Sequence, residues 1–513
     1  MVVRPPITPA AAVKVMINIG AGLDIPTGVW LKGKYGESLL NGGLGFIYGV
    51  TGIGNNFKST VLHFMMLSAM ARVMETHSSY ASTYDTEINI HESHLKQLTY
   101  QFDVFKNRDI IQEGLWSITD KTVYYGNEYF EIIKKFIQDK KKSGQRAFTP
   151  FLDRDGKSLL EIPVPTFGEI DSLTEFQSKA ELDMLDDNEL GESGANMFHQ
   201  RSGLVKSRLL MELPALVGGS YHYVGMTAQL GKESVIPTGP GPAPSTKKLQ
   251  FLKGGDKMKG VTDKFTFATN NCWQSYNAAP LINQSTKAAE YPLPDQDPIS
   301  GDTDLMLVSM RALRSKSGPS GIELQLIVSQ RDGVLPSLTE FHFVKGFNRF
   351  GISGTLQHYA LDIYPSCKIQ RTTVRGKIDE DAKLRRAITI TSEIAQMTLY
   401  MYNETEVKDY LCTPKELYDD LLKAGYDWDM ILGSTRGYWT FDNDTNPVPF
   451  LSTLDLLRMR KGEYYPYWMD ENKKMKKQWA DRLEKYKQQK AADEPTGELN
   501  EIQLAALAAA KAS

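Results

Sequence analysis

The chain has 513 residues, 41% of them hydrophobic and 24% charged, with a formal net charge of −3. That balance fits ordinary globular protein with room for two or more domains. It excludes a uniformly basic nucleic-acid binder, so any such surface has to be a local stripe or to form by assembly. Cys272, Cys367 and Cys412 lie far apart without CxxC spacing, which argues against a disulfide framework or a zinc site. No apolar run approaches the ~18 residues of a membrane span, and the N-terminus lacks a signal-peptide core. A soluble, intracellular protein with reduced thiols is expected.

In chain order, residues 1–40 read as an arm and lead-in, with Pro5, Pro6 and Pro9 ahead of a modest apolar segment at 13–19. Residues 44–50 form an apolar, aromatic run suited to a buried strand. From Lys58 the apolar positions Val61, Leu62, Phe64, Met65 and Ala69 recur at helical spacing. Between the two, Gly52, Ile53, Gly54, Asn55, Asn56, Phe57, Lys58 and Ser59 fill the phosphate-loop pattern G-x-x-x-x-G-K-[ST], with Phe57 in place of the second glycine. Thr60 follows in the first helical turn. In such a turn, backbone N–H groups and the helix N-terminus face an anion, Lys58 reaches the terminal phosphates and Ser59 ligates Mg²⁺. ATP with Mg²⁺ is the expected ligand.

Residues 78–87 read as a second strand with Asp85 and Glu87 at its C-terminal end, where ligands gather in parallel sheets; Glu87 is placed to polarise an attacking water. A third strand is expected at 115–119, then a helix over 128–139 capped by Asn127, and a hairpin over 148–165 about an Asp-Gly turn. Asp171 follows a short apolar run, the position of a second Mg²⁺-organising carboxylate. Glu169 competes for that role but is expected to face away. An acidic stretch, 181–192, reads as a solvated loop and 198–217 as an amphipathic helix. Residues 220–227 form a strand, with Gln229 just beyond it to sense a γ-phosphate.

Residues 230–260 turn irregular and rich in Gly, Pro and Lys. Lys232, Lys247, Lys248, Lys253, Lys257 and Lys259 outnumber Glu233 and Asp256, a local excess suited to nucleic-acid phosphates. Residues 305–308 and 322–329 pair as strands around a turn bearing Arg311, Arg314 and Lys316. Helices at 382–402 and 413–424, then an aromatic-rich stretch to 468, indicate a separate C-terminal domain, ending in a charged helix and a low-complexity tail.

This order of motifs resembles the RecA family, specifically the UvsX-like recombinases of large tailed phages. The resemblance rests on Phe57-Lys58-Ser59 after the lead-in LLNGGLGFIYG, on Tyr84-Asp85-Thr86-Glu87, on Ile170-Asp171-Ser172-Leu173 and on MTAQ ending at Gln229. It implies Lys58, Glu87 and Gln229 as catalytic residues and Ser59 with Asp171 at the metal. Residues 178–200 and 230–260 take the places of the two DNA-binding loops, and Arg311, Arg314 and Lys316 those of basic residues reaching a neighbouring protomer's γ-phosphate.

The implied fold is an α/β RecA-type core with a mainly parallel sheet over 41–350, a smaller α+β domain over 351–470 and a charged helical tail over 471–513. The implied activity is DNA-dependent ATP hydrolysis driving filament assembly on single-stranded DNA and strand exchange with homologous duplex DNA. A phage single-strand binding protein and a mediator are the implied partners, and the cytoplasm of an infected bacterial host the implied location. The second loop is longer than the family's and lacks its glycine pattern, the hairpin near Asp153 is extra, and the C-terminal domain has no counterpart. A ring-forming replicative helicase, or a structural or loader protein with a vestigial nucleotide site, shares the same core features.

Overall fold

The computed structural model describes residues 10–186, 193–231, 251–253, 257–259, 261, 264–293, 301–355 and 357–493. Its organising element is a ten-stranded sheet. The strands are β1 (Ile47–Gly52), β2 (Ala81–Asp85), β3 (Trp116–Asp120), β4 (Thr166–Asp171), β5 (His222–Gly231), β6 (Lys257–Met258), β7 (Asn271–Pro280), β8 (Leu305–Ser315), β9 (Glu323–Ser329) and β10 (Gly333–Val334). They lie in the order β10-β9-β8-β7-β1-β5-β4-β2-β3, with β6 paired to the end of β5. From β7 to β3 every pairing is parallel; from β7 to β10 every pairing is antiparallel. An α/β fold with a mainly parallel sheet is therefore present.

Burial explains why these segments are strands. All residues of β1 and β2 are buried, as expected where helices cover both faces of a parallel sheet. Helix α1 (Lys58–Met74) packs its apolar positions, among them Val61, Leu62, Met65 and Leu67, into the same hydrophobic cluster as Tyr48, Val50, Tyr84 and Phe167. The chain leaves β1 for β2 on one side, and after β5 and β6 it crosses to β7 on the other. Connections thus part at the C-terminal end of β1, the crevice where ligands bind in open α/β sheets.

The hairpin expected at 148–165 forms from Arg146–Leu152 and Leu159–Pro163. Asn127 does not cap the helix Gly126–Ser143: the Glu128 carboxylate accepts the Tyr125 N–H, while Asn127 accepts the Lys179 N–H. Part of the acidic stretch is helical, Lys179–Asp186, and the next helix, Ser193–Val217, begins earlier than its apolar face foretells.

Two segments are more integrated than their sequences announce. In the lead-in, Val15, Ile17, Ile19 and Leu23 are buried in the main cluster, and Tyr223 donates its hydroxyl to the Val15 carbonyl at 2.9 Å. A second cluster is built from the three-stranded sheet Ile352–Gly354, Tyr359–Leu361, Tyr364–Ile369 and the helices that follow, and it includes Ile25, Trp30, Leu305 and Ile327. Among the described residues no helix is long and apolar enough to cross a membrane.

Candidate functional site

The parallel register brings the candidate residues to one edge. Gly52 stands opposite Gln229 on β5 and Ser275 on β7, and Asp85 stands opposite Asp171 on β4. The turn between β1 and α1 therefore opens over the ends of β5, β4 and β2. Gly52 has to be glycine, because a Cβ there would lie 2.5 Å from the Ser275 carbonyl oxygen, whereas Gly54 has open space around it. Asn55 and Phe57 both adopt left-handed backbone conformations, with φ of 60° and 56°. Phe57 thus takes the backbone conformation that glycine adopts most readily, at a strain of about 1–2 kcal/mol. Its ring, packed against the main cluster, offsets part of that cost.

Lys58 opens α1 and donates its ammonium to the Ile53 carbonyl at 2.8 Å, so it bends back over the turn. Burial lowers its pKa, against the opposing pull of Asp171 and Glu87. Next to it, Ser59 donates its hydroxyl to Asp171 Oδ1 at 2.9 Å, and Thr227 from β5 donates to the same oxygen at 2.8 Å. Burial raises the Asp171 carboxyl, offset by His63 and by these two hydroxyls.

Glu87 is exposed beyond β2, and its Oε1 accepts the Gln229 side-chain amide at 3.0 Å. Gln229 is itself fixed, since its N–H donates to Thr174 Oγ1 at 3.0 Å. Asp85 is committed elsewhere: its two carboxylate oxygens accept the N–H groups of Glu87, Ile88, Asn89 and Ile90. It shapes the turn that presents Glu87.

Glu169 does not compete for the metal role. It is fully buried beneath the site, accepting from Thr83 Oγ1 at 2.9 Å and lying 2.8 Å from His63 Nδ1 on α1. Burial opposes a charge on His63, but Glu169, together with Asp171 and Asp85, outweighs it and the imidazole pKa is raised. This pair braces α1 against β4 from below.

The remaining expectations divide. Arg311, opposite Gln274 on β7, spends its guanidinium on Glu323 at 2.9 Å and on the Phe251 carbonyl at 3.1 Å. Arg314 lies further along β8, and Lys316 just past its end, toward the opposite end of the sheet: Arg314 sits over the Phe267 ring, and the Lys316 N–H donates to the Asn270 carbonyl. Within one protomer Arg314 and Lys316 lie away from the Lys58 edge, and Arg311, level with Thr51 across β7, is engaged by Glu323 and Phe251.

Of the lysine-rich stretch, Lys232, Lys247 and Lys248 lie outside the described residues. Lys253 pairs with Glu323 at 2.5 Å, Lys257 lies in β6, and Lys259 is exposed. The Lys259 N–H donates to the Gln229 carbonyl at 2.8 Å, so the end of this stretch is tied directly to a site residue. Sequence reasoning missed Thr227, His63, Gln274 and Ser275. Residues 271–275, NCWQS, show no alternation that would mark them as a strand beside the site.

Among the described residues, no three or more His, Cys, Asp or Glu side chains stand together as a metal cage. Ser59 with Asp171 instead offers one hydroxyl and one carboxylate, which fits Mg²⁺, a cation that takes few protein ligands and completes its shell with phosphate and water. A half-buried lysine that forms no ion pair among the described residues, though Asp171 and Glu87 are near enough to act on it, and a helix N-terminus stand beside that pair, so the residues fit a bound nucleoside triphosphate. No protein-family model matches the chain, and no curated protein shows significant similarity to it.

Proposed function

We propose that this chain is an ATP-hydrolysing DNA recombinase of the RecA family, similar to the UvsX-like phage proteins. It assembles as a helical filament on single-stranded DNA and pairs that strand with homologous duplex. The observation that carries the reading is the convergence, at one sheet edge, of Lys58 and Ser59 on α1 with Asp171, Glu87 and Gln229 from the ends of β4, β2 and β5.

In this reading the backbone N–H groups of residues 52–59 and the α1 N-terminus hold the phosphates, and Lys58 lies along the terminal ones. Ser59 and Asp171 would hold Mg²⁺, which would supply positive charge to the bound phosphates. Glu87 orients the attacking water and takes up its proton. Gln229, bonded to Glu87 and carrying Lys259 on its own carbonyl, stands between the water and the lysine-bearing stretch. Contacts from that stretch to DNA phosphates are therefore two bonds away from the residue that activates water.

Steady-state ATP turnover with and without a poly-dT oligonucleotide tests the reading. Turnover raised by DNA and abolished in a folded Lys58→Ala variant is the expected result. Normal turnover by that variant would remove the nucleotide site from this edge.

A further inference from the structure

Two consecutive residues of β7 grip two different parts of the molecule. Successive strand residues point to opposite faces, and here each face is used. The Ser275 carbonyl accepts the Asn56 side-chain amide at 3.2 Å, and the Ser275 hydroxyl donates to the Asn56 carbonyl at 2.5 Å. Gln274 Oε1 accepts the Lys253 N–H at 2.9 Å, and Gln274 Nε2 donates to the Lys253 carbonyl. Both β7 residues are buried, at 1% and 0% exposure, so neither has water as an alternative partner.

Rigidity lies between the two grips. Gln274 pairs with Thr51 and Ser275 with Gly52 in the parallel ladder, and the Ser275 oxygen packs so tightly on Gly52 that no Cβ would fit. On the other side, segment 251–253 is pinned by the Lys253–Glu323 and Arg311–Glu323 ion pairs, by Arg311 on the Phe251 carbonyl, and by the Lys253 ammonium over the Tyr276 ring at 4.3 Å. A shift of Lys253 pulls a buried amide whose backbone is continuous with the clamp on Asn56.

We infer that Gln274 is a positioning residue that couples the lysine-bearing stretch to the phosphate-loop turn. Polyanion engagement of the stretch that includes Lys253 is relayed through Gln274 and Ser275 to Asn56, and sets how the turn presents Lys58 and Ser59. This is a second route, independent of Gln229, and it rests on the ATPase reading above.

The test uses the full chain and three measurements: ATP turnover without DNA, turnover with saturating poly-dT, and poly-dT affinity across a salt series. Gln274→Leu, which loses both bonds to Lys253, is expected to keep its DNA-free turnover and salt slope, while stimulation by DNA falls toward one. Gln274→Met, of similar length and also without either bond to Lys253, should show the same loss of stimulation; this variant decides the matter if Gln274→Leu does not fold.

Wild-type stimulation in both variants overturns the coupling. So does an equal loss of turnover with and without DNA, which would mark Gln274 as merely structural. If the wild-type chain hydrolyses no ATP, the enzyme reading falls and the coupling with it. Stimulated wild-type turnover matched by the variants removes the coupling alone.

Discussion

The Gln229 side-chain amide donates to Glu87 Oε1 at 3.0 Å, joining the end of β5 to the turn that follows β2. If Glu87 activates water, Glu87→Gln should lower single-turnover hydrolysis by on the order of 10²–10⁴-fold while ATP still binds. Gln229→Ala should spare ATP binding too, and lower mainly the DNA-stimulated part of turnover. A fluorescent-nucleotide titration beside single-turnover assays checks both. Equal losses of binding in the two variants would contradict separate roles.

Ser59 and Thr227 both donate to Asp171 Oδ1, so an amide at this position can still accept a hydroxyl and keep the local packing. Asp171→Asn is expected to raise the Mg²⁺ concentration needed for ATP binding by about tenfold or more, equivalent to ~1.4 kcal/mol. In EDTA the variant and the wild type should bind nucleotide alike. A variant that differs from wild type equally with and without Mg²⁺ would take Asp171 out of the metal site.

Lys253 and Lys259 should not contribute equally to DNA binding. Lys259 is exposed, whereas Lys253 is already paired with Glu323. Each phosphate neutralised on a single strand adds about 0.7 to the log–log salt slope, so Lys259→Ala should flatten the slope by roughly that much and Lys253→Ala by much less. Fluorescence anisotropy on poly-dT reads both. An unchanged slope for Lys259→Ala would place the DNA contacts elsewhere, first at residues 181–201.

Stability should fall as pH rises above the carboxylate range. Glu340 is enclosed where helix Pro336–Gly346 meets Ala382–Tyr400, and burial raises its carboxyl to about 8, although Thr389 donates to it at 2.8 Å. Asp24, raised by burial to about 7, stands in the same region. Between the ordinary Glu value of 4.5 and about 8 the folded chain keeps the Glu340 proton that the unfolded chain has released. The folded state then binds more protons, so stability decreases with rising pH across that window. Glu340→Gln, which keeps an acceptor for Thr389, should show a smaller drop in urea midpoint between pH 5 and pH 8. An identical drop in variant and wild type would show that this carboxyl does not titrate on unfolding.

Local pattern made part of this molecule legible. The helix starting at Lys58 and the strands ending near Asp85 and Asp171 follow from apolar periodicity and lie within a few residues of where they were expected. Ser59 follows from the phosphate-loop pattern and Asp171 and Glu87 from strand ends in a parallel sheet, whereas Gln229, expected just past its strand, lies within β5.

What escaped was non-local. Strand β7 reads as polar sequence, NCWQSYNAAP, yet sits between β1 and β8, because its polar side chains find partners such as Asn56 and Lys253 that no local window contains. Glu169 looked like an alternative metal ligand, and only the packing of α1 shows His63 facing it. Arg311, Arg314 and Lys316 are neighbours in sequence, but an extended strand carries them toward opposite ends of the sheet.

Electron microscopy of the chain with Mg²⁺, ATP and single-stranded DNA tests the central claim most directly. Open helical filaments that form with ATP and DNA, and that fail to form with Lys58→Ala, are the predicted result. Closed six-membered rings would assign the same edge to a helicase, and the absence of any nucleotide-dependent assembly would contradict the recombinase reading altogether.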